Sequence, residues 1–244
     1  MWCALVIAGS LVSGCGGSSG ASAANATAHT TATITKAQAI AYARAVNLRA
    51  ADVPEMSSGL GEREIMQTDS EKRSSVELAR CYGGVDRARR IAWIRSPEFD
   101  AGRARQSQFL ESRVEVWPTP GLAARNIAAE FSSRGQACFR SFLETLHRRL
   151  NKQRAGHGFE FGPLRVVTVP APLRGVSRSF LYTIAETRLR AGRVRLHIYH
   201  DTIAFISGPA EIEVEATGFS QPIPSATQQR LLLLVLSRAK ANKL

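Results

Sequence analysis

Glu211-Ile212-Glu213-Val214-Glu215-Ala216-Thr217 alternates charged and apolar side chains at every step. Side chains on a strand point to opposite faces in turn, so Ile212, Val214 and Ala216 share one face and the three glutamates share the other. One packed face and one wet face are what an antiparallel sheet presents. Glu211, Glu213 and Glu215 are therefore expected to form a solvated row.

Working back from this strand, Leu164 to Val169, Ser179 to Ala185, Val194 to Tyr199 and Ile203 to Ile206 also have strand composition. Lys152 to Gly158 reads as a polar connector ahead of them. Working forward, Pro222 and Pro224 lead into a helix capped by Ser225 with Gln228. Leu231 to Leu236 is apolar on every side of that helix and is expected in the core, with Arg238, Lys240 and Lys243 favourably placed near its C-terminus.

The first half of the chain is mainly helical. Thr35 with Gln38 forms a capping box, after which Ala39, Tyr42, Ala43 and Val46 recur at helical spacing. Pro54 ends that segment and Ser57 to Gly61 reads as a loop. A short helix is expected around Val76 to Cys81, closed by Gly83-Gly84. Arg90 to Ile94 and Val114 to Trp117 read as strands, the first broken by Ser96-Pro97. Thr119 caps a helix with Pro120 in its first turn and a stripe of Ala124, Ile127, Ala128 and Phe131. Ser133 with Gln136 starts another, with the apolar face Phe139, Phe142, Leu143, Leu146 and Leu150. Helices, two strands, helices, a run of strands and a closing helix predict an α+β fold, an antiparallel sheet packed against several helices. Trp93 and Trp117 are expected in the core.

At the other end, Trp2 to Val12 is an uncharged apolar run, about half of the 20 residues a membrane span needs, and it stops at small residues and a cysteine. Val12-Ser13-Gly14-Cys15 has the form of a bacterial lipobox. In that motif a signal peptidase cuts before the cysteine and the thiol takes a diacylglycerol. This reading makes residues 1–14 a signal peptide and Cys15 the acylated, palmitate-bearing first residue of the mature chain. It lacks the Lys or Arg that usually opens a signal peptide. Gly16 to Thr33 is nearly all Gly, Ser, Ala and Thr, too poor in apolar surface to fold, so residues 15–34 read as a flexible leash and 35–244 as one domain. The sequon Asn25-Ala26-Thr27 carries no weight beside a bacterial export signal.

The net charge of +12 belongs wholly to the chain after Gly14. Export removes such a domain from the cell's nucleic acid, and no groove-reading motif is present, so a nucleic-acid partner is not expected. Anionic lipid or an acidic wall polymer beside the anchor is, through a screened and non-specific attraction. With Cys3 lost and Cys15 acylated, Cys81 and Cys138 remain. In an oxidising exterior the even pair reads as a disulfide, stabilising by about 4 kcal/mol on the chain-entropy model. The other readings are two free thiols or a cysteine nucleophile, which would need a base beside it.

Asp52-Val53-Pro54 after the first helix, Cys81, Ser96-Pro97-Glu98-Phe99, Val114-Glu115-Val116-Trp117-Pro118 before a helix, Arg134 with Cys138, and Asp201 through the final helix recur in one order. In these the chain resembles the actinobacterial extracytoplasmic lipoproteins related to the sensor domain of a mycobacterial membrane serine/threonine kinase. The resemblance spans most of Lys36 to Ala241. It implies a PsbP-like α/β sandwich and a sensor or binding role, and brings no catalytic residue. Glu55 and Met56 stand where that family often has Gly and an aromatic, and the kinase domain's second disulfide has no counterpart.

No P-loop, Rossmann glycine pattern, nucleophile elbow or zincin helix is present, and neither a cofactor nor a metal is expected. The strongest catalytic or metal candidate is His197-Ile198-Tyr199-His200-Asp201. On a strand His197 and Asp201 share a face and His200 points away, so these polar residues read as surface or turn positions. A non-catalytic ligand- or partner-binding domain is expected. An envelope hydrolase would instead gather these side chains in a deep pocket, and a structural envelope protein would offer an exposed apolar patch.

Overall fold

The computed structural model describes residues 33–66, 68–103, 106–153, 159–170, 181–191 and 194–244. The signal segment, Cys15 and nearly all of the leash lie outside the described residues, as do 154–158 of the connector and the Ser179 start expected for one strand.

The described chain is an α+β domain with one antiparallel sheet. Its helices are α1 (Lys36–Val46), α2 (Asp69–Tyr82), α3 (Pro120–Glu130), α4 (Ser133–Gln153) and α5 (Ser225–Ala241). Its strands are β1 (Ser57–Ser58), β2 (Arg63–Glu64), β3 (Ala92–Arg95), β4 (Phe99–Ala101), β5 (Gln108–Val116), β6 (Phe159–Pro170), β7 (Leu181–Ala191), β8 (Val194–Ser207) and β9 (Ala210–Phe219). The order is β1-β4-β5-β9-β8-β7-β6, and β3, with β2 outside it, shares the β5 edge with β4. Among the described residues no helix is long and apolar enough to cross a membrane.

Ile94, Val114, Ile203, Phe205, Ile212 and Val214 form one sheet face, and Tyr42 and Val46 of α1 with Leu231, Val235 and Leu236 of α5 close over it. Phe205, Ile212 and Leu231 are wholly buried, each stabilising by about 1.5–3 kcal/mol relative to exposure. The Thr35 capping box forms as expected. At the exit from α1, Asp52 accepts both arms of the Arg238 guanidinium at 2.7 Å and a bond from the Arg49 backbone N–H, clasping the start of the domain to its last helix.

Several expectations are corrected. Val194 to Tyr199 and Ile203 to Ile206 belong to one continuous strand, β8, because Asp201 and Thr202 pair in register with both neighbours. Part of the Ser57 to Gly61 loop pairs as β1 against β4, and α2 starts well before Val76. Ser132, not Ser133, caps α4, accepting from the Gly135 backbone N–H at 3.0 Å. Ser225 does not cap α5, and its Gln228 reaches inward to the Asp201 carboxylate at 2.7 Å. Leu233 is 48% exposed, since α5 packs along one side only. The α3 stripe is rotated by one residue from Ala124-Ile127-Ala128: Ala123, Asn126 and Ile127 are the buried positions.

Candidate functional site

The sheet face opposite the core carries two charged rows. β5 and β9 pair Glu111 with Glu215, Arg113 with Glu213, and Glu115 with Glu211. Directly opposed side chains on one face lie close enough to interact strongly. Arg113 donates to both Glu213 and Glu215. At one end the Arg90 guanidinium donates to Glu115 at 2.7 Å while lying 4.1 Å from the Trp93 ring centre, and at the other Arg95 sits 3.4 Å from Glu111.

The glutamate row is buried, which overturns the expected wet face: Glu211 is 1% exposed and Glu213 8%. The reason lies in α3 and in a short 3-10 turn, Arg87–Arg89, which place their polar side chains over the strands. Asn126 donates to Glu211 at 3.0 Å and to Glu130 at 3.2 Å. Glu130 also accepts from Tyr82 Oη at 3.0 Å and Arg87 at 2.5 Å. Gly135 lets α4 start against the end of α3, for a Cβ there would meet the Glu130 carbonyl at 2.1 Å. Trp117, wholly buried, closes the end of the same face with Val85 and Ala123, whereas Trp93 is only half-buried.

Glu111, Glu115, Glu130, Glu211, Glu213 and Glu215 outnumber Arg87, Arg90, Arg95 and Arg113, so full ionisation would hold excess negative charge out of water. The network relieves this by keeping protons. Burial, then the charges of Glu130, Glu115 and Glu213, push the Glu211 carboxyl well above its usual range. Burial and the hydrogen bond to Glu215 raise Glu111 to about 8. Burial lifts Glu213 to about 7 against the pull of Arg113. Burial acts the same way on Glu215, but Arg113 and His200 outweigh it and hold that carboxyl down at about 2. Burial is likewise overcome at Glu115, which Arg90, Arg87 and Arg113 keep ionised.

This sets the pH dependence of stability. Glu111 and Glu213, raised above 4.5, bind protons more tightly folded than unfolded; their contribution is complete below about pH 4.5 and lost as pH rises through about 7 to 8. Glu215, lowered, contributes above about pH 4.5 and loses that as pH falls toward 2. The melting temperature should peak near about pH 4 to 5 and fall by roughly 5 °C or more by about pH 8.5. Glu111→Gln, which keeps an uncharged donor beside Glu215, should flatten that alkaline limb; an unchanged slope in calorimetry would refute the assignment.

Carboxylate oxygens of Glu130, Glu211 and Glu213 lie within 4.8 Å of one another. A cation placed there would compete with Arg87 at Glu130 and Arg113 at Glu213, which already neutralise those groups. The histidine candidates do not converge. His197 lies on the core-side face of β8, its ring 6.1 Å from that of Tyr199, and lines a partly open pocket with Glu160, Pro163, Arg190 and Arg195. His200, on the other face, contacts Thr217 at 2.8 Å and Thr202 at 3.3 Å. Asp201 is 2% exposed and held by Gln228, so it is a buried strand residue and not a surface or turn one.

Cys81 and Cys138 are joined as a disulfide that ties α2 to α4, their Cα atoms 5.9 Å apart. Arg134, one turn before Cys138, donates to the carbonyls of Cys81 and Arg80.

Fold and site together define an α+β domain with an ion network buried between its sheet and its helical cover. No family model and no curated protein matches the sequence. Among solved structures the chain is similar to the extracellular domain of PknH from Mycobacterium tuberculosis, at 12% identity and a TM-score of 0.41, over 85% of this chain and 98% of that one.

Proposed function

We propose that the chain is a lipoprotein of the cell envelope: residues 1–14 a signal peptide, Cys15 the acylated start, residues up to 34 a leash, and 35–244 an extracytoplasmic, sensor-like domain. It binds a ligand or partner without catalysis. The observation that carries this is Val12-Ser13-Gly14-Cys15, placed between an uncharged apolar run and a Gly/Ser/Ala/Thr tract. Two features of the fold support it. The Cys81–Cys138 bridge suits an oxidising exterior. His197, His200 and Asp201 do not converge on one site: His197 lies beside Tyr199, His200 against Thr217 and Thr202, and Asp201 is held by Gln228.

Mechanistically, two or three acyl chains on Cys15 hold the domain stably where one would bind marginally, and the leash keeps it at high effective concentration toward envelope partners. An envelope protein, anionic lipid or wall polymer fits its net charge of +12. Fractionation with protease shaving of intact cells tests the reading. The wild-type chain should stay with membranes through a high-salt wash and be digested from outside, and Cys15→Ala should be released by that wash. A Cys15→Ala chain that resists the wash as the wild type does, or a wild-type chain protected inside the cell, would overturn it.

A further inference from the structure

We infer that the exposed apolar stripe of α4 docks on anionic membrane lipid; this rests on the anchored reading and names the face the domain turns to the bilayer. The expected apolar face of this helix, Phe139, Phe142, Leu143, Leu146 and Leu150, is only partly covered. One flank of α4 is taken by β6: Arg140 donates to the Val166 carbonyl at 3.4 Å, His147 stacks on Phe161 at 4.9 Å, and Asn151 bonds the Phe161 backbone at 2.7 and 2.8 Å. The N-terminal turns are bound to α2 through Cys138. Phe142 is left 40% exposed and Leu146, one turn on, 37%.

Single exposed apolar residues are ordinary. This pair is distinguished by its setting. Arg148, Arg149 and Lys152 are exposed on the same helix, against the single acid Glu144, and Arg149 follows Leu146 by three residues and so borders it. Bulky apolar side chains flanked by long cations are the composition of a helix that lies in a membrane interface, where the cations reach the headgroups as the apolar stems sink. An apolar protein partner would have to desolvate these guanidinium groups without an acid to meet them; anionic headgroups supply the missing charge.

The test uses the full chain carrying Cys15→Ser, so that no acyl group contributes, sedimented with phosphatidylcholine vesicles with or without phosphatidylglycerol. The apolar start of the chain is common to every variant and cancels in the comparison. Binding should be about tenfold tighter with phosphatidylglycerol and weaken with salt. Phe142→Ser with Leu146→Ser should weaken it about tenfold while the chain still unfolds cooperatively at a melting temperature lowered by only a few degrees, and Arg148→Glu with Arg149→Glu should abolish the preference for the anionic lipid. Equal partition of the Phe142/Leu146 variant and its parent, or equal binding to neutral and anionic vesicles, would overturn the proposal. So would a dimer formed without vesicles and lost in that variant, which would give the face to a second copy. Vesicle binding through α4 by a chain whose Cys15 is unacylated in cells would sink the anchored reading alone, and acylation without α4-dependent binding would sink the docking surface alone.

Discussion

Arg113→Met should cost about 3–5 kcal/mol of folding free energy, the penalty for leaving buried carboxylates without their cation. Arg113 lies between Glu111 and Glu115 on β5 and donates to Glu213 and Glu215 on β9, so one guanidinium serves both partners across the strand pair. Burial works against its charge, yet the surrounding glutamates hold it firmly protonated. Arg113→Lys keeps the charge and loses the planar fork, so it should fall between wild type and Met. Urea denaturation of the three proteins at neutral pH reads this directly. A loss below about 1 kcal/mol for Arg113→Met, the value of a surface ion pair, would mean the two rows are solvated after all. Because a protonated carboxyl no longer needs the guanidinium, the deficit should shrink as pH is lowered, which a packing defect would not do.

Cys81→Ala with Cys138→Ala should cost about 4 kcal/mol, the loop-closure value for the 57-residue separation that the bridge spans. In a domain of this size that lowers the melting temperature by roughly 10 °C. Reductant should lower the wild-type melting temperature by a similar amount and leave the double variant unmoved. A wild-type protein indifferent to reductant would show that the thiols are free in solution. Losing the bridge should also loosen the start of α4 against α2, because Arg134 reaches the Cys81 carbonyl only while the two helices stay together.

The sequence made local devices plain and left non-local ones hidden. The Thr35–Gln38 box and the Thr119 cap are decided within four residues, and both form. The alternation of Glu211 to Thr217 is equally local and correctly defines a strand with two unlike faces. Which medium meets the charged face is not local. It depends on Asn126 and Glu130, spaced one turn apart on α3, and on Arg87 and Arg90 from a separate turn. A signal was present: Glu111, Arg113 and Glu115 repeat the same two-residue charge period, and two charged rows of mixed sign make a buried lattice possible. The α3 face shifted for the same reason. Ranking positions by apolarity chose Ala124 and Ala128, whereas the helix turns Asn126 inward because buried carboxylates wait there. In α5 the error ran the other way: Leu233 is apolar, yet it is left 48% exposed.

Intact mass of the chain from the membrane fraction of a bacterial host, with and without reductant, addresses the anchor and the compartment in one spectrum. The account predicts a chain that begins at Cys15, carries added acyl mass that Cys15→Ala abolishes, and gains the mass of two protons with their electrons when the Cys81–Cys138 bridge is reduced. An unprocessed chain with no acyl mass and free thiols would contradict it.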